Sequence, residues 1–136
     1  MRALDWIVRL VAAGVLLQTL FFKFTAAPES VFIFTTLGLE PWGRIGSGVA
    51  ELIASVLLLW TPTAGLGGVL AVGLMTGAIV SHLTRLGIEI QGDGGLLFGM
   101  ACLVWLCGAA TAVVHGADLP LVGAFLTRHV EPRAGV

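Results

Sequence analysis

Three ionisable side chains interrupt stretches that are otherwise apolar: Lys23 at the end of LDWIVRLVAAGVLLQTLFFKF, Glu51 within GSGVAELIASVLLLW, and His82 in TGAIVSHL. A carboxylate and an imidazole held in one place form an acid/base pair that can exchange protons with a bound ring, and an ammonium beside them balances charge. The same residue types could instead make a polar clasp that fixes the register of packed helices. An ionised carboxylate removed from water costs several kcal/mol unless it is paired or protonated, so Glu51 requires a partner. Lys23 has a long stem and His82 can donate or accept, which predicts an internal network of Lys23, Glu51 and His82.

The elements that must position these groups follow from composition. Of 136 residues, 57% are hydrophobic and 11% charged, and the mean hydropathy is +1.01, outside the range of a water-soluble domain. Four apolar runs, about Leu4–Phe24, Ile45–Trp60, Leu66–Leu83 and Leu96–Val114, are each about long enough to cross a hydrocarbon core of roughly 30 Å. The sequence therefore predicts an all-α, integral membrane, antiparallel four-helix bundle forming a single domain over residues 1–136. No alternating pattern is long enough to close a barrel. The net charge is −1 with no Lys/Arg cluster, so the lipid bilayer is the expected partner and nucleic acid is not. The first run resembles a signal peptide in length, but Lys23 and Pro28 flank the only candidate cleavage site, and the run is read as retained.

Between the first two runs, Pro28-Glu29-Ser30 can start a short helix and Gly38 can end it, predicting a lid over residues 28–38 that lies in the membrane surface or covers the bundle end. Pro62 and Gly65 make a tight, uncharged turn, so the second and third helices form a hairpin. The tail, residues 115–136, could include an interfacial helix near Leu121–His129.

Four crossings put the first and third connections on one side, where depths can be compared at about 1.5 Å per residue. Glu51 then lies roughly 10 Å past Arg44, His82 about one turn inside Arg85, and Gln18 at a depth like that of Glu51. Phe21, Phe22, Phe24 and Trp42 could supply an aromatic rim to the same end, and Gln91 and Asp93 could add polar contacts from the loop above. Candidate proton-exchanging residues are thus Glu51 and His82, and candidate ligand-binding residues Lys23, Glu51, His82, Gln18, Trp42 and Gln91.

Other polar and small residues have simpler readings. Arg9 can snorkel to the headgroups, and His115 and His129, on the opposite side, are read as surface residues. Gly73-x3-Gly77 and Gly95-x3-Gly99 would let helix backbones approach closely, within the chain or across a homodimer seam. Trp6 and Trp60 suit one interfacial belt and Trp42 the other, while Trp105, central in its run, is expected inside the bundle or against a cavity. Arg2, Arg9, Arg128 and Arg133 against Lys23, Arg44 and Arg85 slightly favour a cytoplasmic N-terminus. Cys102 and Cys107 point about 140° apart on a helix and read as packing residues. No CxxC, HExxH, phosphate-binding glycine loop or haem-ligating histidine pair occurs, so no metal or nucleotide site is indicated.

The ordered series KFTAAPES at Lys23, Phe34-x3-Gly38-x2-Pro41-x2-Arg44, Gly48-x2-Glu51-Leu52 and TGAIVSHL with His82 resembles the DoxX-like proteins over about Leu4–Val114. The resemblance implies a four-helix, multi-pass protein of the bacterial inner membrane. The family takes its name from a subunit of an archaeal thiosulfate:quinone oxidoreductase, and some relatives are similar to membrane partners of redox enzymes. Others resemble cargo receptors and receptor-assembly chaperones, and the resemblance assigns no catalytic residue. The leading expectation is a small subunit or accessory protein of a redox system, binding a quinone or similar isoprenoid lipid near Lys23, Glu51 and His82. The alternatives are a non-catalytic adaptor or chaperone docking a partner through its helices or lid, and a membrane isomerase or hydrolase using the same acid/base pair.

Overall fold

The computed structural model describes residues 2–90 and 92–116, the side chain of Arg2 excepted. It contains five helices: α1 (Arg2–Phe24), α2 (Pro28–Thr36), α3 (Trp42–Leu59), α4 (Ala64–Ser81) and α5 (Leu96–Val114). A 3₁₀ turn, Thr61–Thr63, joins α3 to α4, and α4 runs on into a π-helical turn, His82–Leu86. Among the described residues there is no strand. The expected 45–60 and 66–83 boundaries move by up to three residues, and the tail helix expected near Leu121–His129 lies outside the described residues.

Each boundary has a local cause. Pro28 starts α2 because its missing N–H falls where a helix has no use for one. Gly38 ends it in a left-handed conformation, φ +72°, with Leu39 N–H donating to Phe34 O at 2.8 Å and Gly38 N–H to Thr35 O at 3.0 Å. Such a paired reversal satisfies carbonyls that a helix end leaves open. Thr63 closes the end of α3 by donating to Leu57 O at 2.9 Å or Trp60 O at 3.1 Å.

The long helices pack in the cyclic order α1, α3, α4, α5. Each pair is antiparallel: Lys23 of α1 meets Glu51 while Arg9 meets Leu58, Gly67 of α4 abuts Leu57 and Leu58, and Gly68 abuts Gly108 while Thr76 meets Trp105. Ala12, Leu16, Ala54, Leu58, Ala71, Met75, Ala101 and Val104 form the shared core. Its alanines let the helices come close, as packing in lipid requires.

The close contacts differ from those expected. A Cβ on Gly68 would lie 2.5 Å from Gly108 O, and one on Gly67 2.7 Å from Leu58 N, whereas Gly73, Gly77 and Gly99 have nothing within 4 Å. Gly95 is not a packing residue either: it precedes α5 at φ +87°. Spacing alone could not reveal this, because a G-x3-G pair marks a helix face without saying what that face meets.

Among the described residues, four helices are long and apolar enough to cross a membrane, and only 22% to 33% of their apolar windows is buried within the chain. The rest points outward, including Leu4, Ile7, Phe21, Val56, Val80, Leu83, Leu106 and Val113. A water-soluble monomer rarely exposes so continuous an apolar surface.

Candidate functional site

At the end of the bundle where α1 finishes and α3 begins, a cavity of about 510 Å³ opens between the long helices and beneath α2. Glu29, Ser30, Ile33 and Phe34 of α2, and Leu37 just after it, line the cavity, so the segment expected as a lid borders it. Lys23, Glu51, His82 and Gln18 all line it as well. The similar depths read along the runs correspond to side chains that share one cavity.

Glu51 is 3% exposed and stands one turn beyond Gly48, where a Cβ would come within 2.8 Å of the Phe24 ring. Its Oε1 pairs with Lys23 Nζ, and its Oε2 lies 3.1 Å from Thr19 Oγ1. Thr19 is the residue that sequence reasoning missed. It sits one turn before Lys23 on the same face of α1, the position from which a side chain meets the same partner. Its hydroxyl also lies 2.9 Å from Leu16 O, and its single proton can serve only one of these two acceptors at a time.

Lys23 occupies the last turn of α1, where a cation complements the helix dipole. Its ammonium lies 5.6 Å from the centre of the Phe34 ring, and its backbone carbonyl accepts from Arg44 Nη1. Arg44 is held in turn by Glu40, Nε to carboxylate at 2.8 and 3.1 Å.

His82 does not join the Lys23–Glu51 pair by a hydrogen bond, a correction to the expected three-residue network. Its Nδ1 is 2.8 Å from Ala78 O, and because a carbonyl only accepts, Nδ1 carries the proton. In the neutral ring Nε2 then holds a lone pair, and this atom is buried without a hydrogen-bond partner. The ring leans on Phe98, centroids 5.6 Å apart. The sequence could not show that the imidazole bonds its own helix at Ala78 O; a π turn, a distortion often found at functional positions, begins at His82.

Asp93 lines the cavity from the loop before α5. Its Oδ1 accepts from Ile90 N at 3.0 Å and Gly95 N at 2.8 Å, and its Oδ2 from Leu97 N at 3.2 Å. Burial pushes the carboxyl up, but these three N–H groups and nearby His82 outweigh it and hold Asp93 below the ordinary aspartate range. Its oxygens are committed to starting α5, so its role is largely structural.

Other expected site residues fall elsewhere. Trp42 is 79% exposed and outside the cavity, because it begins α3 facing outward. Phe21 points outward and Phe24 packs over Gly48, leaving Phe22, with Phe34 from the lid, as the aromatic lining. Gln91 lies outside the described residues. Trp105 is half-buried on the outer seam, its Nε1 donating to Thr76 Oγ1 at 3.0 Å. The thiols of Cys102 and Cys107 are free, and no cluster of His, Cys, Asp and Glu among the described residues could hold a metal.

The opposite end also departs from expectation. Arg9 does not snorkel: it is fully buried, donating from Nε to Leu58 O at 2.6 Å and from Nη1 to Asp5 at 3.3 Å and Thr61 Oγ1 at 3.4 Å. The open end of α3 offers its Leu58 carbonyl to the guanidinium. His115 is not simply a surface residue, since its Nε2 lies 3.0 Å from Asp5. His129 lies outside the described residues.

Comparison with protein-family models, with curated proteins and with solved structures finds no match.

Proposed function

We propose that this chain is a multi-pass protein of the bacterial inner membrane, a DoxX-like four-helix bundle that binds a quinone or similar isoprenoid lipid as a small subunit or accessory protein of a redox system. One observation carries the reading: an apolar cavity of about 510 Å³ holds an ammonium–carboxylate pair and a buried imidazole nitrogen without a partner. Its volume falls within the roughly 300–1,000 Å³ of small-molecule sites. Leu16, Leu74, Met75 and Met100 suit an isoprenoid tail, and Phe22 and Phe34 suit a flat ring.

The head of such a ligand meets complementary groups. Lys23 gives one of its three protons to Glu51, leaving others for a ring carbonyl, and the His82 Nε2 lone pair accepts from a ring hydroxyl. Reducing a quinone to a quinol takes two electrons and two protons; the electrons come from the partner enzyme, and Glu51 and His82 relay the protons while Lys23 balances charge.

The adaptor reading draws on a different observation. Both Glu51 oxygens are already engaged, by Lys23 and Thr19, as a purely structural clasp would need. Solvent extraction of lipid from the purified protein separates the two. The redox reading expects a quinone or isoprenoid in amounts approaching one per chain, and an extract holding only bulk phospholipid overturns it.

A further inference from the structure

The ligand proposed above needs a way in, and the structure supplies a gap. Gly77 both lines the cavity and is exposed on the outside of the bundle. It has no side chain, and a Cβ built there would meet nothing within 4 Å. On α4 it follows Gly67 and Leu74 along the stripe that faces α3. Continuing the antiparallel register from the contact of Gly67 with Leu57 places Gly77 level with Ser47, which lines the cavity from α3. That register sets two small residues of the cavity lining opposite each other on the α3–α4 seam, away from the turn where Gly67 presses on Leu57 and Leu58.

The surroundings decide what this gap opens onto. Val49 and Ile53 on α3 and Val80 on α4 are exposed at neighbouring levels. The gap thus lies within the apolar belt, whereas the end of the bundle is roofed by α2. We propose that Gly77 and Ser47 form a lateral portal through which an apolar, tailed ligand passes between the bilayer and the cavity, and that the absence of a side chain at Gly77 keeps it open. The inference rests on the reading of the cavity as a lipid site.

Gly73, one turn away, supplies an internal control. It too has open space around it, but it does not line the cavity. Gly77→Leu and Gly73→Leu should both fold, because a Cβ at either position meets nothing within 4 Å; only the first places its side chain at the cavity lining and should obstruct the portal. The test reconstitutes wild type and both variants in phosphatidylcholine vesicles and measures two things: binding of a decyl-substituted benzoquinone, and photolabelling of Met75 and Met100 by an alkyl diazirine dissolved in the bilayer.

Gly77→Leu should lower both signals at least about tenfold, equivalent to about 1.4 kcal/mol in an equilibrium, with Gly73→Leu close to wild type and the melting temperatures of both variants near that of wild type. Labelling of Met75 and Met100 that persists unchanged in Gly77→Leu, or falls equally in Gly73→Leu, overturns the portal. Failure of the wild type to bind the benzoquinone, with the labelling difference intact, leaves the portal standing and refutes the quinone reading instead.

Discussion

Replacing Lys23 with methionine keeps the bulk of the stem and removes the ammonium, which leaves the Glu51 carboxylate 3% exposed with Thr19 as its one remaining side-chain partner. Breaking a buried ion pair from one side costs about 3–5 kcal/mol, because the surviving charge remains out of water. Removal from the other side is not equivalent. The Lys23 side chain is 15% exposed and sits in the last turn of α1, so after Glu51→Gln it can extend towards the interface while the amide keeps its contact with Thr19. That change should cost about 1 kcal/mol, the net worth of one hydrogen bond. The double variant Lys23→Met/Glu51→Gln, with neither charge of the pair left, should be more stable than Lys23→Met by about 2 kcal/mol or more. Unfolding in mixed micelles with rising dodecyl sulfate, followed by helical circular dichroism, measures all three. A Lys23→Met protein no less stable than Glu51→Gln, or a double variant no better than Lys23→Met, refutes the reasoning.

Two further predictions concern the scaffold. Gly68→Ala should destabilise by about 1–3 kcal/mol, since its Cβ would sit 2.5 Å from Gly108 O and force α4 and α5 apart; Gly73→Ala, in open space, should gain up to about 1 kcal/mol of helix propensity. Equal effects at the two positions in the same unfolding assay would remove the packing role given to Gly68. Asp93 titrates below its unfolded value, so the unfolded chain binds more protons in between, and stability is full above about pH 4 and lost as the pH falls through the folded value. Thermal unfolding of Asp93→Asn between about pH 3 and 6 should therefore show a flatter acid limb than wild type; parallel limbs would show that the three N–H bonds leave its titration unchanged.

The four long helices were legible because each apolar run is bounded by proline, glycine or charge, and Leu96–Val114 matches to the residue. The meeting of Lys23 with Glu51 was legible for an energetic reason, the cost of burying a carboxylate alone. What the sequence could not convey is which face of a helix meets which neighbour. The adjacent glycines of α4 serve two helices, Gly67 pressing on α3 and Gly68 on α5, while the more conspicuous Gly73-x3-Gly77 pair faces open space. Arg9 looked like a residue bound for the headgroups because its partners, Leu58 O and Thr61, belong to a distant segment. The orientation of His82 comes from a bond back to Ala78 O, and the sequence does not show that this imidazole bonds its own helix instead of Glu51.

The central claim is that the cavity end holds a ligand through Glu51 and His82 and is not merely braced by them. Its most direct test is the lipid co-purifying with wild type, Glu51→Gln and His82→Ala, quantified beside the melting temperature of each. The account predicts that both variants remain folded, with melting temperatures within a few degrees of wild type, and lose the isoprenoid or quinone that the wild type retains. A stable Glu51→Gln protein that keeps its full complement of lipid would contradict it.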